Sequence, residues 1–359
     1  MRKPTMHRNP FTAHLLGAAA TLALLAGCGE RNSLAPPDSA LGQAAGAGAS
    51  RMTATFYRPM VAADGSMSVL PAGFVPHSVR PSWMRNPPPG ASAAHVAVAE
   101  FGATSVFWFP ELDKKNQPPT NCEAASSTNG IRIDHKGNLW VPNGKANTTT
   151  EYAPNCGAAL QTIADPTGEP ADVGFDKKGH VYILNLNDVS GPPTVNVYTA
   201  AGKQIGTLSD PSFSVLFGVG SDSLGNVFVS NLTSNNVGNV VEFPGGKMPG
   251  TALSGVSLGL PGTPAFDSSN NLVISDWFRF TIDVFAPPYN SAPTTSTLKG
   301  SSIWCPLDHH EKHILCGDAD NGSIDVYAYP GGTYLYSYTS GLSPSALVTG
   351  VAPSPPAPL

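Results

Sequence analysis

Six oxygen-bearing side chains recur along the chain in one setting. Glu100, Asn143, Asn185, Asn231, Asp276 and Asp318 each end a short apolar run, and Phe109, Tyr152, Tyr198, Phe243, Phe285 and Tyr327 follow 9, 9, 13, 12, 9 and 9 residues later. Gathered around one opening, such oxygens could hold a hard cation such as Ca²⁺, or a polar ligand. Asn and Asp at strand ends also bond nearby backbone N–H groups, and recurrence at every repeat favours that fold-level use. Glu100 and Asp276 are the strongest candidates for functional exceptions. Asp276 opens the run Asp276-Trp277-Phe278-Arg279, an aromatic and cationic loop that could stack on a sugar or peptide, or cap a neighbouring element.

Asp308-His309-His310-Glu311-Lys312-His313 is the densest group of imidazoles. It could ligate zinc or copper, but no other ligand is placed beside it, and a solvated hairpin loop is the favoured reading. No nucleophile-elbow motif marks a hydrolase.

The elements that carry these residues follow from an internal repeat. Asp134, Asp176, Asp222, Asp267 and Asp308 are spaced 42, 46, 45 and 41 residues apart, in units such as SDSLGNVFVSNLTSNNVGNVVEFPGG from Ser221. Val-Phe-Val, Val-Tyr-Ile and Leu-Val-Ile runs are strand-like, and Gly or Asn at the turn tips supports hairpins. Four strands fit each period, and radial stacking of such sheets gives a propeller. The 37 Gly and 35 Pro leave little room for long helices. The expected fold is all-β, a six-bladed β-propeller of four-stranded antiparallel blades.

The units resemble NHL repeats and related six-bladed propellers of exported bacterial proteins, over about residues 94–353. The first unit lacks an innermost strand, and Gly350-Val351-Ala352 near the C-terminus resembles Gly218-Val219-Gly220 of another blade. The C-terminal strand is therefore expected to join the first blade and close the ring, hiding two sheet edges. The loop after each second strand falls on the face where inner strands begin, the face that binds ligands in propellers generally. Resemblance to metal-dependent lactonases of the gluconolactonase type implies a Glu, two Asn and an Asp at the starts of inner strands. Asn129-Gly130 and Asp172 stand at comparable places, but Phe217 and Gly262 occupy others, so that tetrad is incomplete.

Four cysteines remain beyond Cys28. Cys305 and Cys316 flank the Asp308 hairpin on neighbouring strands, and Cys122 and Cys156 lie near the outer strands of consecutive blades. Two disulfides with those pairings are expected in an oxidising compartment. Free buried thiols are the alternative.

The N-terminus carries Arg2, Lys3 and Arg8, an apolar run from Leu15 to Ala26, and Leu25-Ala26-Gly27-Cys28. This order resembles a bacterial lipoprotein signal and implies cleavage before Cys28 and lipid attachment to it. The expected organisation is a signal peptide over 1–27, the lipidated Cys28 and an Ala/Gly/Pro-rich tether over 28–90, and the propeller over 91–355. Without its first 27 residues the chain has 17 basic and 25 acidic side chains, a formal charge of −8, and no Lys/Arg run. A nucleic-acid partner is therefore not expected. These features point to an exported protein anchored to a membrane by lipid, on the periplasmic or outer-membrane and cell-surface side. It would be a binding or scaffold protein presenting a propeller face to a protein, peptide or glycan. The alternative is a metal-dependent hydrolase or lyase with its site in the central channel. No cofactor is required by the sequence, with Ca²⁺ the one ion it suggests.

Overall fold

The computed structural model describes residues 57–61, 67–71, 95–100, 106–109, 120–122, 130–154, 157–166, 168–188, 191–342 and 347–354. The expected signal segment, Cys28 and Cys156 lie outside them.

Short strands follow one another, and each pairs antiparallel with the next. Val348–Ser354 is the inner strand of the first blade, followed outward by His95–Glu100, Val106–Phe109 and Thr120–Cys122. The second blade is Arg132–Ile133, Leu139–Asn143, Thr148–Tyr152 and Ala159–Ala164, and the third Gly168–Phe175, Val181–Asp188, Thr194–Tyr198 and Gln204–Leu208. The fourth is Val215–Ser221, Val227–Leu232, Gly238–Phe243 and Thr251–Ala252, and the fifth Ala265–Phe266, Leu272–Asp276, Thr281–Phe285 and Thr294–Thr297.

The sixth blade departs from the expected four strands. It has three regular strands, His313–Asp318, Ser323–Ala328 and Tyr334–Tyr338. Its inner segment still lies alongside, since Gly317 N–H donates to Trp304 O at 3.1 Å and Leu315 N–H to Pro306 O at 2.9 Å. Pro306 has no N–H to return, so the ladder stays incomplete.

The tail of the chain closes the ring as expected, with Val351 opposite Val98 and Pro353 opposite Val96. Because successive side chains on a strand point to opposite faces, each blade feeds two interfaces. Val96 and Val98 pack with Leu315, Ile324 and Val351 toward the sixth blade. Ala97 and Ala99 pack with Ile131, Ile133 and Val141 toward the second. Four more apolar wedges fill the remaining interfaces between consecutive blades. Six wedges for six blades define a closed β-propeller.

The recurring aspartates build the hairpin between inner and second strand. Oδ1 of Asp134, Asp176, Asp222 and Asp267 accepts from the backbone N–H groups two and four residues on, at 2.7–3.0 Å. Oδ2 takes the side chain of the fourth residue, Asn138, His180, Asn226 or Asn271. The third residue has positive φ, which explains Gly137, Gly179, Gly225 and Asn270 there. In the last blade the turn is one residue longer, and Asp308 accepts from Lys312 and His313.

Ahead of the ring, Tyr57–Val61 pairs with Met67–Pro71 as a two-stranded hairpin within the stretch expected to act as a tether.

Candidate functional site

Four of the six recurring oxygens end their second strands, while Asn185 lies three residues before Asp188 and Asn231 one before Leu232; all stand toward the face where inner strands begin, and their described bonds are local. Asp276 is fully buried. Its Oδ1 accepts from the N–H groups of Leu260, Phe278 and Arg279, each at 3.1 Å, and its Oδ2 from Gly259 N–H at 2.6 Å. Arg279 Nη1 lies 3.4 Å from the same Oδ2. Asp318 accepts from the N–H groups of Asp320 and Asn321 and from Asn321 Nδ2. Burial, and then the charge of Asp325, push its pKa well above the ordinary carboxylate value. Asn231 takes Ser214 N–H on Oδ1 and donates from Nδ2 to Ser212 O and Asn239 Oδ1. Asn185 donates to the buried Asp165 at 2.9 Å. Asn143 caps a 3-10 turn by accepting from Ala146 N–H. Glu100 ends its strand opposite Val348. A cation at Asp276 or Asp318 would therefore compete with N–H donors already in place.

The Asp276 loop is divided by its turn. Trp277 points inward, 1% exposed, with its ring 6.0 Å from Phe217. Phe278 is 43% exposed and the Arg279 side chain 49%. Arg279 Nη1 also donates to Ser257 O at 2.8 Å, so the guanidinium is anchored between that carbonyl and Asp276. Val237, also exposed, stands on the corresponding loop of the fourth blade.

Among the described residues, the side chains gathered on this face toward the axis are apolar. Phe217, Leu260, Trp277, Ile303, Trp304, Ala319 and Leu347 form one buried cluster, contributed by inner-strand starts and second-to-third-strand loops of blades four to six and by the approach to the closing strand. Beneath it lies a polar layer. Asp172 is fully buried, accepts from Val219 N–H at 3.0 Å and sits 3.7 Å from Arg132 Nη2. Burial pushes its pKa up, and Arg132 opposes this without cancelling it. A Cβ on Gly130 would collide with Asp172 Oδ1 and Trp304 Nε1, so glycine there makes room for both side chains.

On the opposite face the channel opens into a cavity of about 90 Å³. Its wall includes Arg132, Gly174, Gly220, Ala265, Pro306 and Ala352, which occupy the same place on all six inner strands. Sequence reading missed Arg132, Thr263 and Trp304. The signal was available: two places before each turn aspartate stand Arg132, Gly174, Gly220, Ala265 and Pro306, one cation among small residues.

His309 and His310 are exposed on that same face, their rings 5.1 Å apart, while His313 Nδ1 pairs with Asp308 Oδ2 at 2.8 Å. His313 thus repeats the turn role of His180. Among the described residues no three His, Cys, Asp or Glu side chains form a metal-holding group. Cys305 and Cys316 are disulfide-bonded, with Cα atoms 4.2 Å apart, as expected for neighbouring antiparallel strands. The other expected bridge, Cys122 to Cys156, lies outside the described residues.

No protein-family model matches the sequence, and no curated protein matches it. Solved structures do. The chain is similar to one from the crystal structure of a nidogen/laminin complex, with TM-score 0.62 and 15% identity over 73% of this chain and 98% of that one. It is also similar to a protein of unknown function from Bacteroides caccae, with TM-score 0.56 and 12% identity over 73% and 99%. At such identities the likeness is one of fold, and the fold is the six-bladed β-propeller.

Proposed function

We propose that this chain is a binding or scaffold protein of the bacterial envelope, exported and held by lipid at Cys28. It would present the face where its inner strands begin to a protein, peptide or glycan. The observation that carries this reading is the pairing of an apolar seal over the channel centre with the outward Phe278 and Arg279. An exposed aromatic beside an anchored guanidinium suits recognition by stacking and charge-assisted hydrogen bonding. In the nidogen/laminin structure a propeller of similar fold is part of a protein complex, and the same use is proposed here.

The test is photo-crosslinking from position 237 in intact envelopes, followed by affinity measurement with the purified partner. Phe278→Ala with Arg279→Ala should weaken binding by roughly tenfold or more, about 1.4 kcal/mol, with the melting temperature kept. Stoichiometric metal in the purified protein, lost in Glu100→Ala or Asp276→Ala, would overturn this in favour of a hydrolase or lyase. Labelled fatty acid should enter the wild-type protein and not Cys28→Ala.

A further inference from the structure

We propose that the cavity on the hairpin face is a binding site for a carboxylate on a short apolar stem, with Arg132 as its anchor. Three independent features carry this. The first is space. Five of the six equivalent inner-strand positions are Gly174, Gly220, Ala265, Pro306 and Ala352, so the ring leaves its axis unfilled at this level. About 90 Å³ is room for a small acid or one terminal residue, not for a glycan.

The second is the guanidinium. Arg132 projects from the sixth equivalent position with its side chain 20% exposed. Nη2 donates to Val219 O at 3.0 Å and Pro264 O at 3.5 Å, which fixes the plane of the group. Those bonds leave Nη1 without a protein acceptor among the described residues. A fixed guanidinium edge with a free N–H matches a carboxylate oxygen. No Asp or Glu lines the cavity. Asp172 lies behind, on the Nη2 side, 3.7 Å away and outside the cavity wall.

The third is a set of orphaned donors just inside. A smaller cavity of about 10 Å³ shares Arg132, Ala265, Pro306 and Val351 with the larger one and adds Thr263 and Trp304. Thr263 is 4% exposed, yet Thr263 Oγ1 and Arg132 Nε are buried without a protein partner among the described residues, while Trp304, 5% exposed, turns its indole N–H toward Asp172. Unsatisfied buried donors are costly, and two of them around one space suit an anionic oxygen or the water that solvates it. Phe175, Phe266, Leu307 and Pro353 complete the wall of the larger cavity and would cover the apolar stem.

The source of the carboxylate is either a free short-chain acid or a peptide's C-terminus. Calorimetric titration of the intact protein with sodium butyrate, with Gly-Gly-Val and with Gly-Gly-Val amide separates them. The proposal expects saturable binding of butyrate, of the free tripeptide, or of both, with at least tenfold loss for the amide. Butyrate alone identifies a free acid, and tighter tripeptide binding identifies a chain terminus. Arg132→Gln should lose binding tenfold or more. Should that variant fail to fold, Ala265→Leu, which fills the cavity and keeps the cation, should lose it likewise. No saturable binding of either carboxylate by the wild type, or unchanged binding in a folded Arg132→Gln, would overturn the proposal.

Discussion

Trp277 and Phe278 are neighbours in sequence, and the fold gives them opposite fates. Trp277→Ala removes a side chain that is 1% exposed and packed on Phe217. Burying a Trp removes roughly 150–250 Å² from water, worth about 4–6 kcal/mol at 25 cal/mol per Å². Its indole N–H is buried without a partner, which subtracts about 1–3 kcal/mol. The expected loss is about 3 kcal/mol, at the low end of the range for buried Trp→Ala. For a domain of this size that lowers the melting temperature by roughly 6–12 °C. Phe278→Ala, on an exposed ring, should cost under about 1 kcal/mol. Calorimetry of the two variants beside the wild type decides. Equal shifts in melting temperature, or a Trp277→Ala shift under about 2 °C, would refute the assignment of Trp277 to the seal and return it to the candidate binding surface.

Two further measurements bear on the interior. The Cys305–Cys316 bridge closes a loop with a sequence separation of 11, for which chain entropy gives about 3 kcal/mol. The Cys305→Ala/Cys316→Ala double variant should melt several degrees lower, and an unchanged melting temperature would contradict this. Asp172, raised in the folded state by burial, holds its proton more tightly folded than unfolded. Its contribution to stability is present below about pH 4, the unfolded value, and is lost as pH rises through the folded value. Asp172→Asn keeps an acceptor for Val219 N–H and removes that titration. Its stability relative to wild type should therefore rise from pH 4 upward, and a flat or falling difference would show that Arg132 outweighs burial.

The ring was legible because its physics repeats. An aspartate that satisfies two backbone N–H groups, with a positive φ at the third residue, leaves the same trace in each unit, so Asp134, Asp176, Asp222 and Asp267 could be aligned without coordinates. Closure was legible because an unpaired edge is a liability and residues 350–352 read like an inner strand. The Cys305–Cys316 pair followed from hairpin register. What did not show was direction at turns. Trp277 and Phe278 follow the same aspartate, and no strand periodicity tells which one turns inward. Pro306 was visible, but its missing N–H registers as a broken ladder only once the partner strand is known. The hairpin at 57–71 has Asp64-Gly65 between its strands, a turn dipeptide overshadowed by the surrounding small residues.

An internal repeat also separates fold from function in a way one sequence seldom allows. Positions that hold the same chemistry in blade after blade, such as the turn aspartates of blades two to six, are accounted for by bonds each of those turns must make. Departures are not. At the level of Arg132, five blades carry a small residue or proline and one a cation at the cavity wall, its Nη2 bonded to Val219 O and Pro264 O. At the next level inward, Gly130 makes way for Asp172 and Trp304 and Gly218 for Thr263, and Thr263 Oγ1 stays buried without a partner among the described residues. Polar atoms left unsatisfied in the interior cost stability, and here Thr263 Oγ1 and Arg132 Nε lie near the axis behind one open mouth. A ligand there supplies the compensation that the packing omits.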